Sequence, residues 1–346
     1  MHWTVAAPFI HTLEEEYSRW ITPFVPGDRH QFQVVPRRKA MMSWHDRASP
    51  VSSGEEWRDY WNHATDALSV AQDGIITVFP QLPSVIGLRQ RLSPKRDVAV
   101  ISWLFNTAEC YPGLRQTLSR FALRDVNRFV SHTHRECDMY AEWLGLPRER
   151  FEFVPIQTPE LPLEFEEDTK EPFVLLQGSA HRDFPTFIEA IQRLGLRAVI
   201  LSGPRALDGI DVPSNVEAPF GVTRADCNRY AQLARVHVVP MIESDAITGA
   251  GQVTIAGTMW TKRPMIVSRC NGAADYVVDG ENGFLVTPGS VDELAAAIKR
   301  LWDDAELRSR IAGNAYEFAK RTYTDEAAGA ALGRILDDVA DEIGTR

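Results

Sequence analysis

Cysteine is sparse and scattered: Cys110, Cys137, Cys227 and Cys270 stand far apart, with no CxxC pair. That spacing suggests neither a zinc site nor a disulfide framework and fits four reduced, buried thiols. No apolar run approaches the roughly 18 residues that span a bilayer. The opening MHWTVAAPFIHTLEEEY lacks a basic leading stretch and reaches three glutamates early, unlike a secretory signal. The expectation is a cytoplasmic protein. There is no excess of positive charge: the net charge of −10 argues against nucleic acid as a partner. No GxGxxG follows the first apolar run, which disfavours a dinucleotide-dependent dehydrogenase. Repeats with a period of about 20 to 50 residues and low-complexity tracts are also missing.

What is there describes a globular chain of two domains. With 346 residues, 44% hydrophobic and 24% charged, each half is long enough to bury its own core. Residues 1–150 hold 18 Lys or Arg against 17 Asp or Glu, and the remainder 19 against 30, so the acidity lies in the second half. Short apolar, β-branched runs alternate with helical patterns throughout, as in parallel sheets covered by helices. The candidate strands are TVAAP, FQVVP, IITVF, VAVISWLF, RFVSH and FEFVP, then FVLLQG, RAVILSG, RVHVVP, PMIVS and GFLV. Several end in Pro or Gly, and ligands of such sheets collect at those carboxyl ends. The stretch from Gln157 to Pro172, with three prolines and an acidic run, reads as a linker. Between Arg37 and Asn62 a polar region carries Trp44, Trp57 and Trp61. These tryptophans either pack a helix starting near Glu55 or face an acceptor or a membrane. His132, His134 and Cys137 in SHTHRECD read as a strand-to-helix junction rather than a metal site.

The chemistry concentrates between Gly249 and Val286. Gly249, Ala250 and Gly251 are small enough for backbone amides to approach an anion closely. A helix-compatible run from Val253 to Thr261 follows, then Lys262-Arg263-Pro264, the strand-like Met265-Ile266-Val267 and a turn at Asn271-Gly272. The segments AGTMWTKRPMIVS and CNGAADYVVDGENGFLVTPGS, in that order, resemble the donor-binding half of GT-B glycosyltransferases of the retaining family 4. Asp279, Gly280, Asn282, Gly283, Leu285, Val286, Pro288 and Gly289 fall in place, and VDELAAAIKRLW continues as the expected amphipathic helix. The pattern departs at two positions: where the family usually has a pair of glutamates eight residues apart, this chain has Gly249 and Gly257.

The resemblance implies an α/β fold of the GT-B type, with two Rossmann-like parallel-sheet domains facing a central cleft and a C-terminal helix crossing back to the first domain. The expected divisions are an acceptor-binding domain at 1–156, a linker at 157–171, a donor-binding domain at 172–320 and a crossover helix at 321–346. It implies retaining, metal-independent transfer of a sugar from a nucleotide diphosphate sugar, which is substrate rather than cofactor, to a hydroxyl acceptor. That acceptor is a glycan, a lipid or a small molecule, and a lipid would place the protein at the inner face of a membrane by peripheral contact.

By position, Arg182 stands where the family has a diphosphate-binding lysine, and Ser179, beside Gly178, where it has an arginine. Arginine can hold a diphosphate by bidentate hydrogen bonds. Gly249, Ala250, Gly251, Gln252, Val253 and Thr254 form the expected donor loop and helix start. Glu243 is the nearest upstream carboxylate and, with Arg182, the candidate catalytic residue. His11, Thr12 and Asn106 are the acceptor-side candidates, Asn106 standing where relatives often present a histidine. Asp275 aligns with an acid of the family pattern, and Asp279 reads as a turn former. The missing glutamates motivate a second reading, a glycosyltransferase-like protein that binds a nucleotide or glycan without turnover.

Overall fold

The computed structural model describes residues 1–14, 19–41, 52–92, 98–107, 109–203 and 205–344; Trp44 lies outside them. The chain divides into two compact units, Met1–Val154 with Glu326–Arg346, and Pro155–Asp325. Among the described residues no helix is long and apolar enough to cross a membrane.

The first unit contains strands β1 (His2–Ala6), β2 (Gln31–Val34), β3 (Gly74–Val78), β4 (Ala99–Trp103), β5 (Arg128–Ser131) and β6 (Phe151–Phe153), and helices α1 (Gly54–Val70), α2 (Gln81–Leu92), α3 (Leu114–Leu123) and α4 (His134–Leu144). Its sheet is wholly parallel in the order β2-β1-β3-β4-β5-β6. β3, β4 and β5 are buried at every residue, because side chains alternate between two covered faces. On one face Ala6, Ile75, Val100 and Phe129 pack with Ala64 of α1, Leu82 and Ile86 of α2 and Tyr140 of α4. On the other, Trp3, Val5, Ile76, Ile101 and Trp103 pack with Leu332, Ile335, Leu336 and Val339.

Those four residues belong to the last helix of the second half, whose elements are β7 (Val174–Gln177), α5 (Phe184–Leu194), β8 (Ala198–Leu201), β9 (Val216–Glu217), α6 (Arg224–Leu233), β10 (Val236–Val239), α7 (Gln252–Met259), β11 (Met265–Ser268), β12 (Phe284–Val286), α8 (Val291–Asp303), α9 (Ala305–Thr322) and α10 (Asp325–Gly344). Helix α10 docks closely on the first unit because Gly329 has no side chain: a Cβ there would lie 2.5 to 2.6 Å from Phe24. The sequence places the start of this helix at Arg321, but α9 continues through that residue. Tyr323, just beyond it, is buried, stacks on Tyr276 at 5.7 Å and accepts a hydrogen bond at its carbonyl from Thr158 N at 2.9 Å. The chain is therefore still tied to the second unit until Asp325.

The second sheet is also wholly parallel, in the order β12-β11-β10-β7-β8-β9. Leu176, Ile200, Val238 and Ile266 pack with Phe187 and Ile191 of α5 and Ile298 of α8. Residues 157–171 hold no helix or strand, yet they are fastened to this unit rather than loose. The buried Gln232 side chain accepts from Glu164 N at 2.7 Å and Phe165 N at 2.9 Å and donates to Pro162 O at 3.0 Å.

Candidate functional site

In the second sheet the chain runs from β7 outward through β8 and β9, then returns to lay β10 beside β7 and continue the other way. The order thus reverses between β7 and β10, and a crevice outside the carboxyl ends of those strands is where ligands of such sheets bind. The two loops leaving that point are zipped together. Asp183 N donates to Pro240 O and Ile242 N to His181 O, each at 3.0 Å, with Arg182 and Met241 bridged antiparallel between them.

This zip turns the Arg182 side chain inward, where only 6% of the residue is exposed. Its Nε donates to Gln177 O at 3.1 Å, Nη1 to Ala180 O at 2.9 Å and Nη2 to Thr254 Oγ1 at 2.8 Å. Gly178, at φ +106°, makes room for it, since a Cβ there would lie 2.6 Å from Nη2. Burial lowers the guanidinium pKa to about 10, so it stays charged at neutral pH. Among the described residues no carboxylate forms an ion pair with it. Of its five N–H groups, three bonds are made within the protein and two N–H remain.

Thr254 belongs to the first turn of α7, and that helix start adds to the positive field. Gly251 caps it at φ +89°, where a Cβ would approach Met241 Sδ to 2.5 Å, and no side chain caps the turn. The amides of Gln252, Val253 and Thr254 therefore lack intrahelical acceptors. Ala250 is buried, Gly249 half-buried and Val253 exposed. The Gln252 side chain is committed elsewhere, donating to Asn271 O at 2.8 Å. Ser179 is exposed and accepts from Ser202 Oγ at 2.9 Å and Gly203 N at 2.8 Å, joining the ends of β7 and β8. Glu243 is exposed in the loop one residue beyond the zip. Asp279 shapes the turn expected of it: its carboxylate accepts from Leu285 N and Arg269 Nη2, both at 2.9 Å.

In the first unit the acceptor-side candidates lie beyond the carboxyl ends of β1 and β4. His11 is exposed, and Thr12 Oγ1 accepts from Glu14 N at 3.3 Å. Asn106 donates through Nδ2 to Glu136 Oε1 at 2.8 Å. Glu136 was not singled out from sequence, although Thr133-x-x-Glu136 has capping-box spacing. It is 2% exposed, and its Oε2 accepts from His132 N and Thr133 Oγ1, both at 3.1 Å. His132 itself is buried against Val154 O, 2.7 Å from Nδ1, and Cys137 is buried in the core.

Burial pushes the Glu136 carboxyl up to about 7, opposed by the hydrogen bonds it accepts. With the folded pKa above its ordinary value of 4.5, the folded state binds more protons than the unfolded state between those two values. Stability from this group is therefore full below about pH 4.5, falls as pH rises to 7, and then levels, by about 3 kcal/mol in all. Denaturant unfolding of wild type and Glu136→Gln at pH 5 and 8 should show the variant gaining on wild type as pH rises. A constant difference would refute the buried-carboxyl origin.

Residues 176–304 match the family described as glycosyl transferases group 1. The second unit carries a group 1 glycosyltransferase domain. That domain contains every donor-side candidate from Gly178 to Thr254. Alpha-D-kanosaminyltransferase of Streptomyces kanamyceticus is 36% identical to the chain over 87 residues, 25% of this chain and 22% of the relative, so the match spans under a quarter of that protein's length. Sucrose-phosphate synthase of Thermosynechococcus elongatus superposes with a TM-score of 0.69 at 14% identity, covering 99% of both chains. HepE of Anabaena, solved in complex with UDP-glucose, superposes with a TM-score of 0.64 at 14% identity, covering 99% of this chain and all of that one. The fold of the group 1 domain and its companion unit is GT-B.

Proposed function

We propose that the chain is a glycosyltransferase that moves a sugar from a nucleotide diphosphate sugar to a hydroxyl of a glycan, lipid or small molecule, with retention and without a metal. The observation that carries this reading is Arg182: a buried cation with two N–H groups to spare, set against an uncapped helix start at the reversal point of the sheet. When the bond between the sugar carbon and the diphosphate oxygen breaks, the electron pair and the growing charge go to the diphosphate. Fixed donors aimed at that charge are the largest single source of catalysis in such a site. Arg182, Thr254 and the amides of α7 are the groups this chain offers, with Gly178 making room for the Arg182 guanidinium and Gly251 for Met241. The nucleotide sugar bound by HepE supports the donor class.

One feature favours a second reading, binding without transfer. Helix α7 has no carboxylate, and a Cβ at Gly257 would meet nothing within 4 Å, so nothing among the described residues fills the place of the family's glutamate there. Thermal unfolding against UDP, GDP, ADP, TDP and their sugar conjugates separates the cases. A ligand at a hundred times its Kd adds about 2.7 kcal/mol to the folded state. A raised midpoint with release of free nucleoside diphosphate on adding acceptor, or slowly to water, supports the transferase. A raised midpoint without release from any conjugate supports the binder, and no shift across the panel defeats both.

A further inference from the structure

We infer that Asn271 is a positioning residue for the diphosphate, the middle of a bridge that ties the loop after β10 to the start of α7; the inference rests on the donor site proposed above. Asn271 follows the end of β11 and is 4% exposed. Its Nδ2 donates to Ile242 O at 3.0 Å, and its own carbonyl accepts from Gln252 Nε2 at 2.8 Å. Ile242 stands directly before Glu243, and its N–H is already held by His181 O. Gln252 opens the first turn of α7. Two bonds in series therefore run from the loop zipped to Arg182 to the helix start that offers the free amides.

The fold does not need this bridge to join the strand ends. Ser268 Oγ already accepts from Met241 N at 2.9 Å, and the zip adds its own two bonds. Asn271 instead carries costs. Its φ of +51° is left-handed, a conformation that asparagine tolerates better than most residues but glycine adopts freely. Its Oδ1 is a buried acceptor with no partner among the described residues, a state that stable cores avoid. Glycine would relieve both costs but could not reach Ile242. His181, which holds the other backbone group of Ile242, is left-handed as well, at φ +56°. Strained residues thus grip both sides of one peptide, and strain of this kind is kept where a site must be assembled before its ligand arrives. Fixed donors stabilise charge because they need not reorganise. Thr254, bonded to Arg182, and the amides of Gln252, Val253 and Thr254 all sit on the start of α7, so the setting of that turn against the zip decides where every one of these donors points.

Calorimetric titration of wild type, Asn271→Gly, Gln252→Met and the double variant with UDP, GDP, ADP and TDP, and with the matching nucleosides, tests the inference. Asn271→Gly keeps the left-handed turn and the carbonyl that Gln252 uses, and removes the bond to Ile242; Gln252→Met removes the other bond. Each should weaken binding of the diphosphate that wild type prefers about tenfold, and of its nucleoside less than about threefold. Because the bonds lie in series, breaking either one disconnects the bridge, so the double variant should bind within about threefold of the single variants. Two independent roles would instead multiply to a loss of about a hundredfold. Unchanged diphosphate affinity in Asn271→Gly, equal losses for diphosphate and nucleoside, or multiplied losses in the double variant overturn the inference and leave the donor reading standing. Asn271→Gly decides alone if Gln252→Met does not fold. A wild type that binds none of the four diphosphates overturns the donor reading and the inference together.

Discussion

Replacing Arg182 by methionine should weaken nucleoside diphosphate binding about a hundredfold while changing nucleoside binding by less than about threefold. A hydrogen bond from a charged group is worth about 1.5–3 kcal/mol and each 1.4 kcal/mol is a factor of about ten, so losing the two spare N–H donors amounts to about 3 kcal/mol. The unliganded protein should respond quite differently. Without an anion, Arg182 is a buried charge with no carboxylate partner, and burial alone already lowers its pKa to about 10. Removing it relieves that cost but orphans the carbonyls of Gln177 and Ala180, at about 1–3 kcal/mol each. These effects oppose each other, and the net change in unfolding free energy should stay within about 2 kcal/mol. Calorimetric titration with nucleoside diphosphate and with nucleoside measures the first quantity, and denaturant unfolding the second. Equal losses for the two ligands would remove Arg182 from the phosphate role. A collapse of stability with affinity intact would make it a structural cation.

The strands were legible because a doubly covered parallel strand leaves an uninterrupted apolar run, as in GIITV of β3 and AVISW of β4, and because prolines and glycines end such runs. Strand β9 was not legible: two residues at a sheet edge, only Val216 of them buried, are too short to show a period. The end of α9 was misplaced because what fixes it is tertiary, the burial of Tyr323 beside Tyr276. At the site, Gly178, Arg182 and Thr254 could each be singled out from the sequence, and the folded chain brings them into contact. Two local features, one in each unit, were beyond reach. The Gln252 amide turns to Asn271, and Asn106 is held by Glu136 from a helix thirty residues later. Sequence left Trp57 and Trp61 open between packing and surface. Both are substantially exposed, and Arg89 lies over Trp61 at 5.0 Å.

Gly178→Ala should destabilise the protein by about 3 kcal/mol and lower diphosphate affinity about tenfold, and both effects should shrink when Arg182 is already methionine. Two separate penalties meet at this residue. Its φ of +106° is a backbone conformation that alanine adopts only under strain, at about 1–3 kcal/mol. The added methyl would also lie 2.6 Å from Arg182 Nη2 and 3.1 Å from Cζ. The guanidinium cannot simply swing aside, because it is bonded to Gln177, Ala180 and Thr254 at once. Moving it breaks at least one of those bonds and displaces the donors proposed to hold the diphosphate. Methionine is unbranched and flexible, so in the Arg182→Met background only the backbone strain should remain. A double-mutant cycle on unfolding free energy should therefore show a coupling of about 1–2 kcal/mol. Strictly additive costs would mean that the torsion alone, and not the guanidinium packed against it, demands glycine at the end of β7.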